Sequence, residues 1–435
     1  MLSRAFLVVV TLLAISLSGC ISDEGGPASD AETVTDTAAE ILARLQGDAA
    51  ALGCEPSYTK GETSPIFREI GTFDTAEIRY GEADVVHGTD FVVFARYGGG
   101  GFDILNVSNP YDPEHVVGFP IPVETSYTLD IKSSRDGKTL FSGGRGSITI
   151  IDISNVTDPV IEKTVALPYE AAATRAQAHM IHVAEIGGEQ YLFVASQWGH
   201  GVLIFKLLGE PGARDLKFLT YFAPAIGGPI AAHDMMVMHD PVEQVPILWV
   251  ANGIGGFIAA DVTDPANPSI VSYTPEADPY QGYTHTVSVT FYGDKRIAAT
   301  MAELGAMALK VYDVTDLATP ILLGTWTISP VPDQTQHNTQ IIGDWLFIGH
   351  YQHGVLQFNL SAYVADPGAL PAYNLGALSP VIGGMEPFAQ YLPNDSTSTW
   401  ETIIVNGVHY TTAGGIRVAL NGCLDAGEKE ARAYV

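Results

Sequence analysis

Four histidines recur in step along the chain: Ala178-His179, Ala232-His233-Asp234, Thr284-His285-Thr286 and Gln336-His337-Asn338, at spacings of 54, 52 and 52 residues. Neutral imidazole ligates Zn, Cu, Fe and Ni, and three or four rings facing one point make a metal site. Asp130 stands at roughly the corresponding place one unit earlier. Three further histidines fall in the loop that joins the second and third strands of a unit and are expected at the same mouth: His200 before Gly201, and His350 and His353 before Gly354. A duplicated unit that keeps His because each ring hydrogen-bonds its neighbour's backbone would show the same phasing, so the metal reading and the structural one both stay open. His182 is expected on the opposite strand face from His179. His87, His115, His239 and His409 are expected in loops or outer strands. Glu303 and Glu386 are candidate acid/base groups for the same region. No Gly-x-Ser-x-Gly elbow and no His-Glu-x-x-His pair occurs.

The elements that must position these histidines form a repeat. A glycine, an apolar run and an Asp or Asn return at Gly101-Phe102-Asp103-Ile104-Leu105-Asn106, Gly146 to Asn155, Gly201 to Lys206, Gly256 to Pro265, Met307 to Asp316, Gly354 to Leu360 and Gly415 to Leu420. Each copy has β-rich runs on both sides and an alternating segment ahead, such as His285-Thr286-Val287-Ser288-Val289-Thr290. Four short strands per unit, repeated at this period, are the signature of propeller blades. The sequence therefore predicts an all-β, seven-bladed propeller over about residues 76–420. The first strand of each blade then lines the central channel, and the phased histidines gather at one mouth of it. No exchange of a strand between the termini is read from the sequence, so a covalent clasp is what would resist opening of the ring.

The copies Ile150-Ile151-Asp152-Ile153-Ser154 and Ile258-Ala259-Ala260-Asp261-Val262-Thr263-Asp264-Pro265 resemble LVIVD-repeat proteins. The resemblance implies an extracytoplasmic β-propeller, often anchored at the cell surface, and carries no reaction with it. Lys206 and Ala419 depart from the pattern at its acidic position. Calcium is not expected at the Asp-containing turns, because Asx turns explain those residues and a calcium site needs six or more converging oxygens.

Residues 1–19 read as a lipoprotein signal peptide: Arg4, an apolar run from Ala5 to Leu17, then Leu17-Ser18-Gly19-Cys20, which resembles a lipobox with Cys20 as the lipidated residue. Residues 20–53 form a polar tether with a short amphipathic helix near 36–45, and 54–435 the propeller. Export to the outer face of the cell membrane, or to the periplasm as an outer-membrane lipoprotein, is expected. Cys54 and Cys423 then flank the folded region and are expected to pair in a disulfide, the alternative being two free thiols.

The 435 residues carry 49 acidic and 21 basic side chains, a net charge of −28, which excludes duplex nucleic acid as a partner. Beyond the membrane itself, an unidentified surface partner or small ligand is expected, on a monomer. Two function classes follow. One is a lipid-anchored binding or scaffold propeller with a histidine-lined metal site (Cu, Fe or Zn). The other is a metal-dependent enzyme, in particular an oxidoreductase, working at that site. A propeller hydrolase would need axial carboxylates, and the sequence places histidines on the axis instead.

Overall fold

The computed structural model describes residues 36–74, 78–122, 128–168, 177–197, 201–224, 232–275, 283–303, 309–326, 336–365, 385–393 and 398–425. It divides the chain into Met1–Thr37 and Ala38–Val435, and all the secondary structure described lies in the second unit. That unit is a ring of seven four-stranded antiparallel sheets. Six blades are built from consecutive strands. Their first strands are Tyr80–Val85, Ile131–Ser133, Gln177–Ile186, Asp234–Asp240, Thr284–Tyr292 and Gln336–Ile342. The seventh combines Thr399–Val405, Val408–Ala413 and Ile416–Asn421 with Phe67–Phe73, which pairs antiparallel with Ile416–Asn421.

The ring is thus closed by exchange of a strand between the termini, which the sequence reading did not include. Phe67–Phe73 lacks the glycine-led motif of the repeat, so nothing in its own residues identifies it as the outer strand of a distant blade. The covalent clasp is present as well: Cys54 and Cys423 form a disulfide with Cα atoms 4.8 Å apart.

The repeat glycine falls where the third strand starts, and its role is steric. At Gly101 (φ 101°) and Gly354 (φ 69°) a Cβ would come within 2.1 Å of the fourth strand's carbonyl, at Phe119 and Tyr391 respectively. The acidic positions after the third strand close Asx turns. Asp152, Asp261 and Asp313 each accept the backbone N–H two residues on, at 2.7–2.9 Å.

Hydrophobic burial sits between the blades. Seven clusters of buried residues fill the seven interblade seams; for example, Phe102, Ile104, Leu140 and Ile151 lie between blades 1 and 2. The seam between blades 7 and 1 also takes the helix Ala38–Leu52, which buries Leu45 and Ala49 against it. That helix runs seven residues beyond the segment expected from apolar spacing. Among the described residues no helix is long and apolar enough to cross a membrane.

Candidate metal centre

The first strands contact one another in a closed round and so form the wall of the channel. Their inner edges have no strand partner. Near one end, five of them slip register by a bulge: at His179, at His285, over His337-Asn338, over Trp400-Glu401 and over Gly81-Glu82. A bulge kinks the strand and re-aims its side chains. His233 stands at the same level in blade 4, where its N–H donates to Ala251. In blade 2 the matching donor is Leu129, to Gly143, so Asp130 lies one step further along the strand than the histidines.

The four phased imidazoles form a continuous arc. Ring centroids are 4.0 Å apart for His179–His233, 3.9 Å for His233–His285 and 4.5 Å for His285–His337. The arc continues through Trp400, 4.8 Å from His337, to Tyr97, 4.5 Å from Trp400. Beside it, His233, His285 and Glu303 each offer one possible ligand atom, and these atoms lie within 4.8 Å of one another. The closest approach to the carboxylate is His285 Nε2 to Glu303 Oε2, 3.7 Å. A tetrahedral site with bonds of ~2.1 Å has donor–donor edges of about 3.4 Å.

His285 is buried, and Nδ1 of His179 has no hydrogen-bond partner among the described residues; the rings of His233, His285 and His337 each face a hydrogen-bonding backbone group of the next blade, at His285, His337 and Trp400 respectively. Burial pushes His179 down to about 4 and His337 to about 3, and holds His233 and His285 well below the usual imidazole value. The backbone hydrogen bonds to His233, His285 and His337 act in the opposite sense and do not offset this. The rings are therefore neutral, the form of histidine that ligates a metal. Burial also raises Glu303, against a 3.3 Å hydrogen bond donated by the Tyr351 hydroxyl.

Of the other candidate residues, His200 and Cys20 lie outside the described residues. His350 and His353 form a T-shaped pair with centroids 4.6 Å apart, in contact with each other rather than with the arc. The side chain that reaches the mouth from this loop is Tyr351, which sits 5.4 Å from His337. Glu386 is exposed beside the short helix Ser361–Ala365, its backbone bonded to Tyr363, away from Glu303. His182 is on the first strand of blade 3, held neutral by burial. His409 is not in a loop or outer strand: it is fully buried in the second strand of blade 7, bonded to Thr402 and edge-on to Phe67 and Phe347.

One step below the histidines the channel carries carboxylates, of which the sequence reading had singled out only Asp130. Glu82, Asp130 and Asp234 are buried and Glu401 is half-buried. Several cap the free N–H groups of the neighbouring inner edge: Glu401 accepts from Ala83 at 2.7 Å and Asp130 from Ile181 at 2.6 Å. Asp84, two residues on, accepts from Ser133 at 2.8 Å. Lys132 is 2.5 Å from Asp130; burial opposes its charge, but the surrounding carboxylates outweigh that and raise it. Glu82 is pushed well up by burial and by facing Glu401, and lies 3.8 Å from His337. Beyond this layer a cavity of about 530 Å³ opens toward the other end of the channel, floored by Lys132, Asp234, Asn338 and Glu401.

Fold and site together define a seven-bladed β-propeller with an arc of neutral histidines and one carboxylate at one end of its axis. The family model of the LVIVD repeat matches residues 143–166, the third and fourth strands of blade 2 with the end of the second, so the chain carries an LVIVD repeat, a unit associated with β-propeller proteins. No curated protein matches the chain.

Proposed function

We propose that the protein is an exported, membrane-anchored binding propeller that holds one transition-metal ion on His233, His285 and Glu303. His179 and His337 flank the site. The observation that carries this reading is the cluster itself: His233, His285 and Glu303 each have a possible ligand atom within 4.8 Å of the others', with His285 buried and 3.7 Å from the carboxylate. Zn, Fe and Cu fit the donors. Export and lipid anchoring at Cys20 are supported by the leader sequence and by the Cys54–Cys423 disulfide, which suits an oxidising compartment.

A metal-dependent enzyme is the second reading, and the donor set favours it. Two histidines and one carboxylate with positions left open serve catalytic zinc and non-haem iron rather than closed structural sites. Metal analysis of protein purified without a histidine tag tests the shared premise. About one equivalent per chain is expected, lost in the His233→Ala/His285→Ala double variant. Less than about a tenth of an equivalent, after Cu, Zn and Fe have each been offered, would contradict it.

A further inference from the structure

Glu303 is the one acidic member of the donor cluster, and the group that holds it comes from another blade. It follows directly on the second strand of blade 5, Lys295–Ala302, and is half-buried. A glutamate side chain is long and samples many rotamers unless something fixes it. Among the described residues its carboxylate makes two close polar contacts. The Tyr351 hydroxyl donates to Oε1 at 3.3 Å, and His285 Nε2 lies 3.7 Å from Oε2. The two oxygens are thus divided, one facing a phenol and the other a ligand imidazole.

Tyr351 is itself held on several sides. It lies in the turn between the second and third strands of blade 6, Trp345–His350 and Gly354–Asn359. Its backbone carbonyl accepts from the N–H of Thr399, where the first strand of blade 7 begins, at 3.0 Å. Its ring lies beside His337 and Trp400, with centroids 5.4 and 5.8 Å away. One residue therefore bridges blades 5, 6 and 7 at the histidine-bearing mouth. Because packing and the backbone bond already order it, orienting Glu303 costs little further entropy.

We propose that Tyr351 is a positioning residue for the metal site: by holding Oε1 of Glu303 it leaves Oε2 turned toward His285, so the ion takes this carboxylate through one oxygen. The proposal rests on the metal reading above and adds to it how the third ligand is aimed. A carboxylate that binds through one oxygen supplies one donor, whereas binding through both would fill a further position. With His233 and His285 the protein then offers three donor atoms, and at least one position stays open for another ligand. Hydrogen-bonding partners of metal ligands typically account for about 10–100-fold in affinity.

Tyr351→Phe deletes the hydroxyl and keeps the ring beside His337 and Trp400, so it isolates the bond to Glu303. Competition against a chelator, with copper(II) on the full-length untagged protein, reads the affinity. Copper is the first-row divalent ion that such sites hold most tightly, so the weakest variant stays measurable. Tyr351→Phe is expected to weaken copper binding about 10–100-fold. In a Glu303→Ala background the same change should alter affinity by less than about twofold, because the hydroxyl acts through the carboxylate. In cobalt(II)-loaded protein, Tyr351→Phe should weaken the visible absorption bands, since a freed Oε1 can join the ion and raise its coordination number. Copper affinity unchanged by Tyr351→Phe, affinity lowered equally in both backgrounds, or unchanged cobalt bands would each overturn this proposal and leave the metal site standing. Protein that takes up no metal overturns both.

Discussion

At the level of single residues, buried imidazoles dominate the chemistry of this chain. His409 shows what such burial does to stability without any metal nearby. Its folded value is pushed down to about 3 by burial, whereas an unfolded chain protonates histidine near 6.5. Between those values the unfolded state binds a proton that the folded state refuses, so the stability His409 contributes is complete above about pH 6.5 and drains away as pH falls. His409→Gln is therefore expected to be less stable than wild type at pH 7.5, through lost contacts with Phe67, Phe347 and Thr402. The gap should narrow or reverse by about pH 4.5. Thermal denaturation at the two pH values measures it, and a pH-independent gap would contradict the assignment. In the sequence, His409 looks like the solvated histidines His87 and His239. Only the strand-exchanged seventh blade, which packs Phe67 over it, makes it a core residue.

At the level of strands, the inner edges determine what the channel contains. A propeller leaves one edge of each first strand unpaired, and buried N–H groups must find acceptors. Here side chains of the preceding blade supply several of them: Glu401 for Ala83, Asp130 for Ile181, Asp84 for Ser133 and Gln340 for Ile404. Asp130 does this while neutralising Lys132. Asp130→Ala removes both services at once, and a loss of about 3 kcal/mol or more is expected in urea unfolding. Asp84→Ala, which strands no cation, should cost about 1–3 kcal/mol. Equal losses would show that the Lys132 pair is not what matters.

The phasing of His179, His233, His285 and His337 was legible because duplication preserves spacing. Their convergence was also legible, because first strands line a propeller axis. The bulges were not. One inserted residue changes which side chains share a level, which hid Glu82 and Glu401. Asp130 missed the histidine level by one residue, and Tyr351 rather than His350 or His353 reaches the mouth from the turn after the second strand. Glu303, singled out as an acid/base group, stands among the donors, but its distance to His285 depends on a loop that no periodicity describes.

For the whole molecule, the ring has two closures. Phe67–Phe73 completes blade 7 by backbone pairing, and the disulfide ties residues 369 apart in sequence across the same seam. Because the paired strand remains when the disulfide is removed, Cys54→Ser/Cys423→Ser protein should still fold with unchanged secondary structure by circular dichroism. Its unfolding free energy should fall by about 2–5 kcal/mol. A double variant as stable as wild type would mean that strand exchange alone closes the ring. The same closed ring holds the four imidazoles of separate blades in one arc, which no local segment of the chain could do.

The position of the metal is the most direct test of the site. Anomalous diffraction at the absorption edge of the bound metal, from crystals of the untagged protein, is expected to give one peak within about 2.3 Å of donor atoms of His233, His285 and Glu303. A peak at His350 and His353, or no peak in protein exposed to Zn, Fe and Cu, would contradict it.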